Sequence, residues 1–160
     1  MSSILKVSTL QDPTNSNTAL SIDSSGIVTT PTKPFIQLFS DASTAYAANA
    51  TITDFRVHNS RGITFSSGVM TVPVDGLYQI GLNVISGGDN GVYIEVNNIR
   101  INRIGYGDAG TSEVWSAVSG VCIFNLVAND EVKFTAEGSM TIYGTTTAST
   151  VGGAYMYLVG

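Results

Sequence analysis

The chain has 160 residues, a hydrophobic share of 43% and a formal net charge of −5 at pH 7. This length suits one well-cored domain with a short appendage, and the hydrophobic share excludes an intrinsically disordered chain. The seven Lys and Arg residues are scattered, so we expect no nucleic-acid partner, because such binding needs clustered cations. No apolar run approaches membrane-spanning length, and no signal peptide is visible. We therefore expect synthesis in a cytosol and no membrane insertion.

Residues 1–34 form a region rich in Ser, Thr, Asn and Asp. Short strands are predicted at 4–9, 19–22 and 27–29, with a hairpin-type turn at 23–26. Two prolines then stiffen the connector to the rest of the chain, since proline fixes its own φ. Three short strands cannot bury a core alone, so we expect this segment to dock onto another surface.

The same region resembles the opening shared by many virion proteins of tailed phages, of the marine-phage or cyanophage type. The matching runs are Ile-Leu-Lys-Val at 4–7, Ala-Leu-Ser-Ile-Asp-Ser-Ser-Gly at 19–26 and Val-Thr-Thr-Pro at 28–31. Ser21 departs slightly from the pattern, which commonly has Thr there. The resemblance implies that residues 1–34 attach the protein to other virion proteins, of the capsid or the tail. The candidate docking residues are Ile4, Val7, Leu20 and Ile22.

From residue 35 onward, apolar and polar side chains alternate with the period of two that is typical of half-buried strands. The alternation is found in the segments 77–85, 92–96, 99–102, 132–137 and 154–158. Asn97-Asn98 and Asn129-Asp130 are predicted turns, because Asn tolerates left-handed backbone geometry. Residues 41–50 could form a helix capped by Asp41, although a loop is the favoured prediction. Many short strands at near-regular spacing predict an all-β sandwich or jelly roll.

The run Ser-Gly-Val-Met-Thr-Val-Pro-Val-Asp-Gly-Leu-Tyr at residues 67–78 combines a strand end at Pro73 with a turn at Asp75-Gly76. It resembles the TG-x-F-T-x-P-x-x-G-x-Y run of C1q-like and TNF-like jelly-roll domains, which are trimer-forming binding modules. Three later segments resemble the same pattern in order and spacing: 92–98, 116–132 and 153–158. Asn98 and Asn129 stand where Gly is usual. The resemblance implies an all-β, C1q/TNF-like jelly-roll sandwich with a short amino-terminal β-rich docking segment.

The resemblance also implies that residues 35–160 form the head of a homotrimer. Tyr side chains are enriched at interfaces, because they combine a large contact area with a polar group. The candidate interface residues are Tyr93, Tyr143, Tyr155 and Tyr157. Tyr155 and Tyr157 are the leading candidates, since the final strand of C1q-like trimers lies near the axis.

Catalytic and cofactor-binding patterns are weak in this sequence. His58 is the only histidine, so a catalytic triad has no alternative base. Residues 105–110 match G-x-G-x-x-G, but β-branched and aromatic residues follow where a helix should begin, so a glycine loop is predicted. The carboxylates lack calcium-loop spacing, and Cys122 should be a buried, inert thiol. We expect no enzymatic activity, no catalytic residue, no cofactor and no metal site.

Two classes of function stay open. The favoured hypothesis is a non-enzymatic bacteriophage structural protein, located in the virion and made in the bacterial host cytoplasm. It would be a trimeric capsid-decorating or fibre-type accessory protein that is exposed on the particle and could contact a host-surface receptor. The alternatives are a tail-fibre or receptor-binding adhesin, and a C1q-like bacterial binding protein unrelated to a virion.

Overall fold

The computed structural model describes residues 7–11, 18–30, 32–88, 90–108, 115–145 and 152–159. The chain divides into two compact units, Met1–Lys33 and Pro34–Gly160. Within the described ranges, all regular secondary structure is β-strand. None of these described residues belongs to a helix long and apolar enough to cross a membrane.

The first unit is a small antiparallel sheet. Its strands follow chain order, as β1 (Thr9–Gln11), β2 (Thr18–Ile22) and β3 (Val28–Thr29). The predicted turn before β3 is confirmed: the Asp23 carboxylate accepts hydrogen bonds from the amides of Ser25 and Ile27 at 2.8 and 2.9 Å. Gly26 has a φ of 81°, a conformation that suits glycine because it has no Cβ.

The prediction of a first strand at 4–9 differs from the structure. Residues 4–6 lie outside the described ranges, and the strand begins at Thr9. Its position is set by pairing with β2, in which Thr9 lies opposite Ser21 and Leu10 opposite Leu20. Cross-strand register, which local composition does not report, therefore decides where this strand begins.

The second unit contains two antiparallel sheets. Its strands are β4 (Phe35–Ser40), β5 (Thr44–Tyr46), β6 (Phe55–Arg61), β7 (Thr64–Ser66), β8 (Val69–Thr71), β9 (Gly76–Gly87), β10 (Asn90–Val96), β11 (Ile99–Gly107), β12 (Trp115–Leu126), β13 (Glu131–Ala136), β14 (Met140–Tyr143) and β15 (Gly153–Leu158). The five-stranded sheet has the order β11-β10-β13-β8-β7. The seven-stranded sheet has the order β5-β14-β9-β15-β4-β6, with β12 on the other side of β9.

The core of this unit lies between the two sheets and follows the predicted alternation. On β9 the inward side chains Tyr78, Ile80, Leu82 and Val84 are at most 2% exposed. The five-stranded sheet contributes buried side chains to the same cluster, including Val92, Ile94, Val132 and Phe134. Burial of apolar side chains from both sheets is the main stabilising term of such a sandwich.

The turns carry the expected backbone signature. Asn97, Asn98 and Asn129 have φ angles of 52°, 65° and 72°, which confirms the predicted left-handed positions. Asn97 also links two loops, because its side-chain amide donates to the Asp130 carboxylate at 2.7 Å. The turn residues therefore fix both the hairpin between β10 and β11 and its contact with the loop before β13.

Two local predictions are corrected by the structure. Residues 41–50 contain the short strand β5, which pairs with β14, within an otherwise irregular stretch, and no helix. Gly105 and Gly107 lie in β11 and do not form a loop. The reason is close approach of β11 to β12: a Cβ at Gly105 would lie 2.9 Å from the Ser119 backbone. These glycines allow the two sheets to meet at this edge.

Candidate interaction surface

The outward face of the seven-stranded sheet is built from strands that carry no charge. β4, β9, β12 and β15 contain no Asp, Glu, Lys or Arg. We call nine of the outward side chains of these strands the charge-free face: Phe35, Gln37, Phe39, Gln79, Asn83, Val121, Ile123, Tyr155 and Tyr157. A sheet face in contact with water normally carries charged side chains, so this composition indicates a surface that is covered in the working protein.

Strand register gathers the apolar members of the charge-free face into two adjacent rows. The first row runs Phe35, Tyr157, Gln79, Ile123. The second row runs Gln37, Tyr155, Gly81, Val121. Val121 and Ile123 are 55% and 53% exposed, and Tyr157 is 38% exposed. Contiguous exposed apolar area of this kind marks an interaction site more often than isolated apolar residues do.

The two tyrosines on β15 are held in place by their neighbours. The Tyr155 ring covers Gly81, where any Cβ would collide with the ring. Gln79 donates a hydrogen bond to the Tyr155 hydroxyl at 3.2 Å. The rings of Tyr155 and Tyr157 stack at 5.7 Å with an interplanar angle of 21°. An open cavity of about 430 Å³ lies against these rings and the Phe35 side chain. Contacts within one copy therefore hold both rings in place before any partner binds, and such pre-ordering lowers the entropic cost of association.

The charged side chains and the histidine that the structure describes on this side of the sheet lie at its β6 edge. The Arg61 guanidinium lies 5.1 Å from the centre of the Phe35 ring, and Arg56 forms an ion pair with Asp41 at 3.2 Å. The His58 ring is exposed and stacks on Phe39 at 4.3 Å. His58 therefore sits at the border of the charge-free face as a packing residue.

Tyr143 lies on the same sheet, at the end opposite Tyr157. Its ring packs against Trp115, with centroids 3.7 Å apart, and Trp115 is 52% exposed. The structure thus brings three of the four predicted interface tyrosines, Tyr143, Tyr155 and Tyr157, onto one side of one sheet. The fourth, Tyr93, lies on the five-stranded sheet, on the other side of the core.

The outward face of the five-stranded sheet is polar and charge-paired. Arg103 pairs with Glu137, and Lys133 pairs with Glu95 at 3.4 Å. The Tyr93 hydroxyl donates to the Glu137 carboxylate at 2.7 Å. This hydrogen bond and then the Arg103 guanidinium hold the pKa of Glu137 below its usual value. The two outward faces of the sandwich therefore differ in kind, and the paired charges suit continued contact with water.

Sequence reasoning missed the apolar residues of β12 and β11. Val121 and Ile123 are exposed, and they alternate along β12 with Cys122 and Phe124, which pack against the core. A strand that is apolar on both faces is typical of a strand covered on both faces, and this signal was present in the sequence. Ile99 and Ile101 are 65% and 48% exposed.

The candidate docking residues belong to the first unit. Ile4 lies outside the described residues, and Val7 is 39% exposed. Leu20 and Ile22 lie in β2 and are partly buried. The structure thus places two of the four candidates in the central strand of the small sheet.

Possible metal ligands and the Cys122 thiol were two further candidates for a functional site. Among the described residues, no three or more His, Cys, Asp or Glu side chains form a group that could hold a metal ion. The Cys122 thiol is partly buried rather than fully buried as expected. Asn102 donates to its sulfur at 3.4 Å, because Cys122 lies where β12 passes β11.

Comparisons with known proteins bear on the fold. No protein-family model matches the chain, and no curated protein matches it. Among solved structures it is similar to Eiger TNF from S. frugiperda, with 8% identity and a TM-score of 0.65 over 80% of this chain and 93% of that one. It is also similar to murine APRIL at pH 5.0, with 11% identity and a TM-score of 0.59 over 79% and 99% of the two chains. The globular domain of zebrafish complement 1qA matches with 14% identity and a TM-score of 0.57 over 79% and 98%.

At these identities the likeness bears on the fold alone. All three structures align with about four fifths of this chain and nearly all of their own. Together with the all-β architecture, the likeness confirms the predicted fold class: the chain has a C1q/TNF-like jelly-roll fold.

Proposed function

We propose that the protein is a non-enzymatic structural component of a bacteriophage virion. In this proposal residues 35–160 form the head of a homotrimer, and residues 1–34 attach it to other capsid or tail proteins. The head decorates the capsid or a fibre, where it is exposed on the particle and can contact the host surface. The main observation in support of a trimer is the charge-free face.

The charge-free face supports self-association through its composition. In a single copy, Val121, Ile123 and Tyr157 expose apolar area to water. Covering this area in an assembly would stabilise the assembly by about 25 cal/mol for each Å² of apolar surface removed from water. No charged side chain of β4, β9, β12 or β15 would have to be desolvated, so the large penalty for burying an ion is avoided. The ion pairs of Arg100, Arg103 and Lys133 lie on the other sheet, which would stay in water, and that of Arg56 lies at the β6 edge.

A closed ring of three copies needs two different patches on each copy, because its contacts are heterologous. One patch is the β4 and β15 part of the charge-free face, with Phe35 and Tyr157. The other is the edge where β11 passes β12. Ile101 lies on this edge and is 48% exposed, next to Asn102, whose side chain contacts Cys122 of β12. Packing the edge of one copy onto the β4 and β15 face of the next would cover both patches in every copy.

The virion location is supported by the amino-terminal runs at 4–7, 19–26 and 28–31, which resemble the opening of tailed-phage virion proteins. The small sheet of the first unit also exposes apolar side chains: Leu10 is 53% exposed and Val28 is 56% exposed. A sheet of three short strands with exposed apolar residues is stable only against a further surface. An attachment role gives the first unit that surface.

Disulfide trapping tests the ring arrangement. In a Cys122→Ala background, Tyr157→Cys combined with Ile101→Cys should give covalent trimers under mild oxidation, because edge-to-face packing brings the two positions together in different copies. A disulfide requires Cα atoms within about 7 Å. Tyr157→Cys alone is the matched control and should stay uncrosslinked. Covalent dimers from this single variant would show a two-fold face-to-face contact and would contradict the ring.

Mass spectrometry of purified particles tests the virion assignment. Phage particles from a strain that encodes the chain should contain it in stoichiometric amounts after density-gradient purification. When the phage encodes a truncated protein without residues 1–34, the particles should lack this protein, and the truncated protein should remain free in the lysate. Absence of the full-length chain from intact particles would contradict the assignment without affecting the trimer.

A further inference from the structure

A row of alternating cationic and aromatic groups lies on the outward face of the five-stranded sheet. We call this row the Arg–Tyr ladder: Arg100, Tyr93, Arg103 and Tyr106. The Arg100 guanidinium lies 4.1 Å from the centre of the Tyr93 ring. The Arg103 guanidinium lies 5.6 Å from the Tyr93 ring and 5.3 Å from the Tyr106 ring. Arg103 therefore lies between two aromatic rings, within the range of cation–π attraction.

Surrounding residues hold the ladder in one geometry. One carboxylate oxygen of Glu137 accepts a hydrogen bond from the Tyr93 hydroxyl and also pairs with Arg103. Gly91 makes room for this arrangement, because a Cβ there would collide with the Glu137 carboxylate and approach the Arg103 side chain at 3.2 Å. Arg100 is fixed in the same way, since it donates to the Asn49 side chain at 2.8 Å. Fixed groups lose little entropy when a ligand binds.

The ladder remains accessible although it is ordered. Tyr106 is 51% exposed, and the side chains of Arg103 and Glu137 are 47% and 24% exposed. Arg103 has five N–H donors, of which only part is used by Glu137 and Tyr93. The surface therefore offers an aromatic ring with fixed guanidinium donors beside it.

The charge balance of the ladder decides which ligand class it fits. Arg103, the cation nearest Tyr106, is neutralised by Glu137, and Glu95 is shared by Arg100 at 3.6 Å and Lys133 at 3.4 Å. An anionic ligand would have to displace a carboxylate that is already in place, and the whole chain carries a net charge of −5. An uncharged ligand with many hydroxyl groups meets no such opposition. Its hydroxyls can accept from a guanidinium without displacing the paired carboxylate, and its apolar ring face can stack on an aromatic side chain.

We propose that the Arg–Tyr ladder is a binding site for a neutral glycan. The Tyr106 ring stacks against the apolar face of one sugar ring, and the N–H groups of Arg103 that Glu137 and Tyr93 do not use donate to its hydroxyl groups. Glu137 acts as a positioning residue that holds Arg103 in place. The site lies on a single copy of the chain and does not depend on the proposed trimer. In a trimer it would be present three times, which would raise the avidity for a repetitive polysaccharide.

Binding of the full chain to immobilised polysaccharides tests this site. The probes are neutral glucans, mannans and galactans, with polygalacturonate as an acidic counterpart, and the readout is biolayer interferometry. We expect the chain to bind at least one neutral polysaccharide. Tyr106→Ala should weaken that binding about tenfold, since loss of one stacked ring corresponds to roughly 1.4 kcal/mol. Gly91→Ala should weaken it by displacing Glu137 and Arg103.

Trp115→Ala is the matched control, because Trp115 is equally exposed but lies on the other sheet. It should leave the affinity unchanged, and circular dichroism should show that all three variants fold. Three results would overturn the proposal: no binding to any neutral probe, binding restricted to polygalacturonate and lost in salt, or an equal loss in Trp115→Ala. Sedimentation of the same variants reports the oligomeric state separately, so the two proposals can fail independently.

Discussion

The contact between Gly81 and Tyr155 gives a quantitative test of the charge-free face. A Cβ at residue 81 would overlap the Tyr155 ring, so Gly81→Ala must displace that ring and break its hydrogen bond with Gln79. Overpacking of this kind costs about 1–3 kcal/mol. In a Tyr155→Ala background the obstacle is gone, and alanine in place of a strand glycine gains about 0.5–1 kcal/mol. The two substitutions should therefore couple by about 2 kcal/mol, which is within the range seen for residues in contact.

Urea unfolding of the four members of this cycle measures the coupling energy, with protein concentration held constant because assembly contributes to apparent stability. Gly81→Ala combined with Trp115→Ala is the control cycle and should be additive, since Trp115 does not touch residue 81. The reasoning is refuted if Gly81→Ala and Tyr155→Ala are additive within about 0.5 kcal/mol, because the ring would then not lie over the glycine.

Three further predictions concern titration and turn geometry. Burial raises the pKa of Tyr78 above its ordinary value of 10.0, so stability should hold below that pH and fall as the pH rises beyond it. The free energy of unfolding, measured with urea at about pH 8 and about pH 11, should therefore fall less in Tyr78→Phe than in the wild type. An equal fall in the two proteins would contradict this prediction. The Tyr93 hydroxyl lowers the pKa of Glu137. The stability that ionised Glu137 contributes is therefore present above the ordinary glutamate pKa and is lost as the pH falls through the lowered pKa. Glu137→Gln should therefore flatten the acid side of the thermal-midpoint profile, whereas an unchanged profile would show that the contact is absent in solution. Asn129 has a φ of 72°, so Asn129→Ala should cost about 1 kcal/mol and Asn129→Gly almost nothing; equal denaturation midpoints for both variants would contradict this backbone geometry.

The core could be predicted from sequence because it depends on a local pattern. Alternation in 77–85 places Tyr78 and its partners inside, and the structure confirms this. The Asn turns could also be predicted, since Asn tolerates positive φ at Asn97 and Asn129. Both signals are contained within a few consecutive residues and need no knowledge of the partner strand.

The charge-free face and the Arg–Tyr ladder depend instead on which strands are neighbours. Tyr157, Gln79 and Ile123 form one row only because β15 and β12 flank β9. Gly105 was predicted to be in a loop, since sequence alone does not show that β12 passes close enough to require a glycine. Tyr93 was grouped with the interface tyrosines because its residue type suits an interface, but its strand belongs to the other sheet.

The oligomeric state in solution tests the central claim most directly. Sedimentation equilibrium of the full chain at micromolar concentration should give three times the chain mass of 16.8 kDa. Tyr157→Lys places a charge on the charge-free face and should shift the protein to monomer, whereas Thr64→Lys on the exposed outer strand of the other sheet should remain trimeric. A monomeric wild type, or a trimer that tolerates Tyr157→Lys, would contradict assembly through this face.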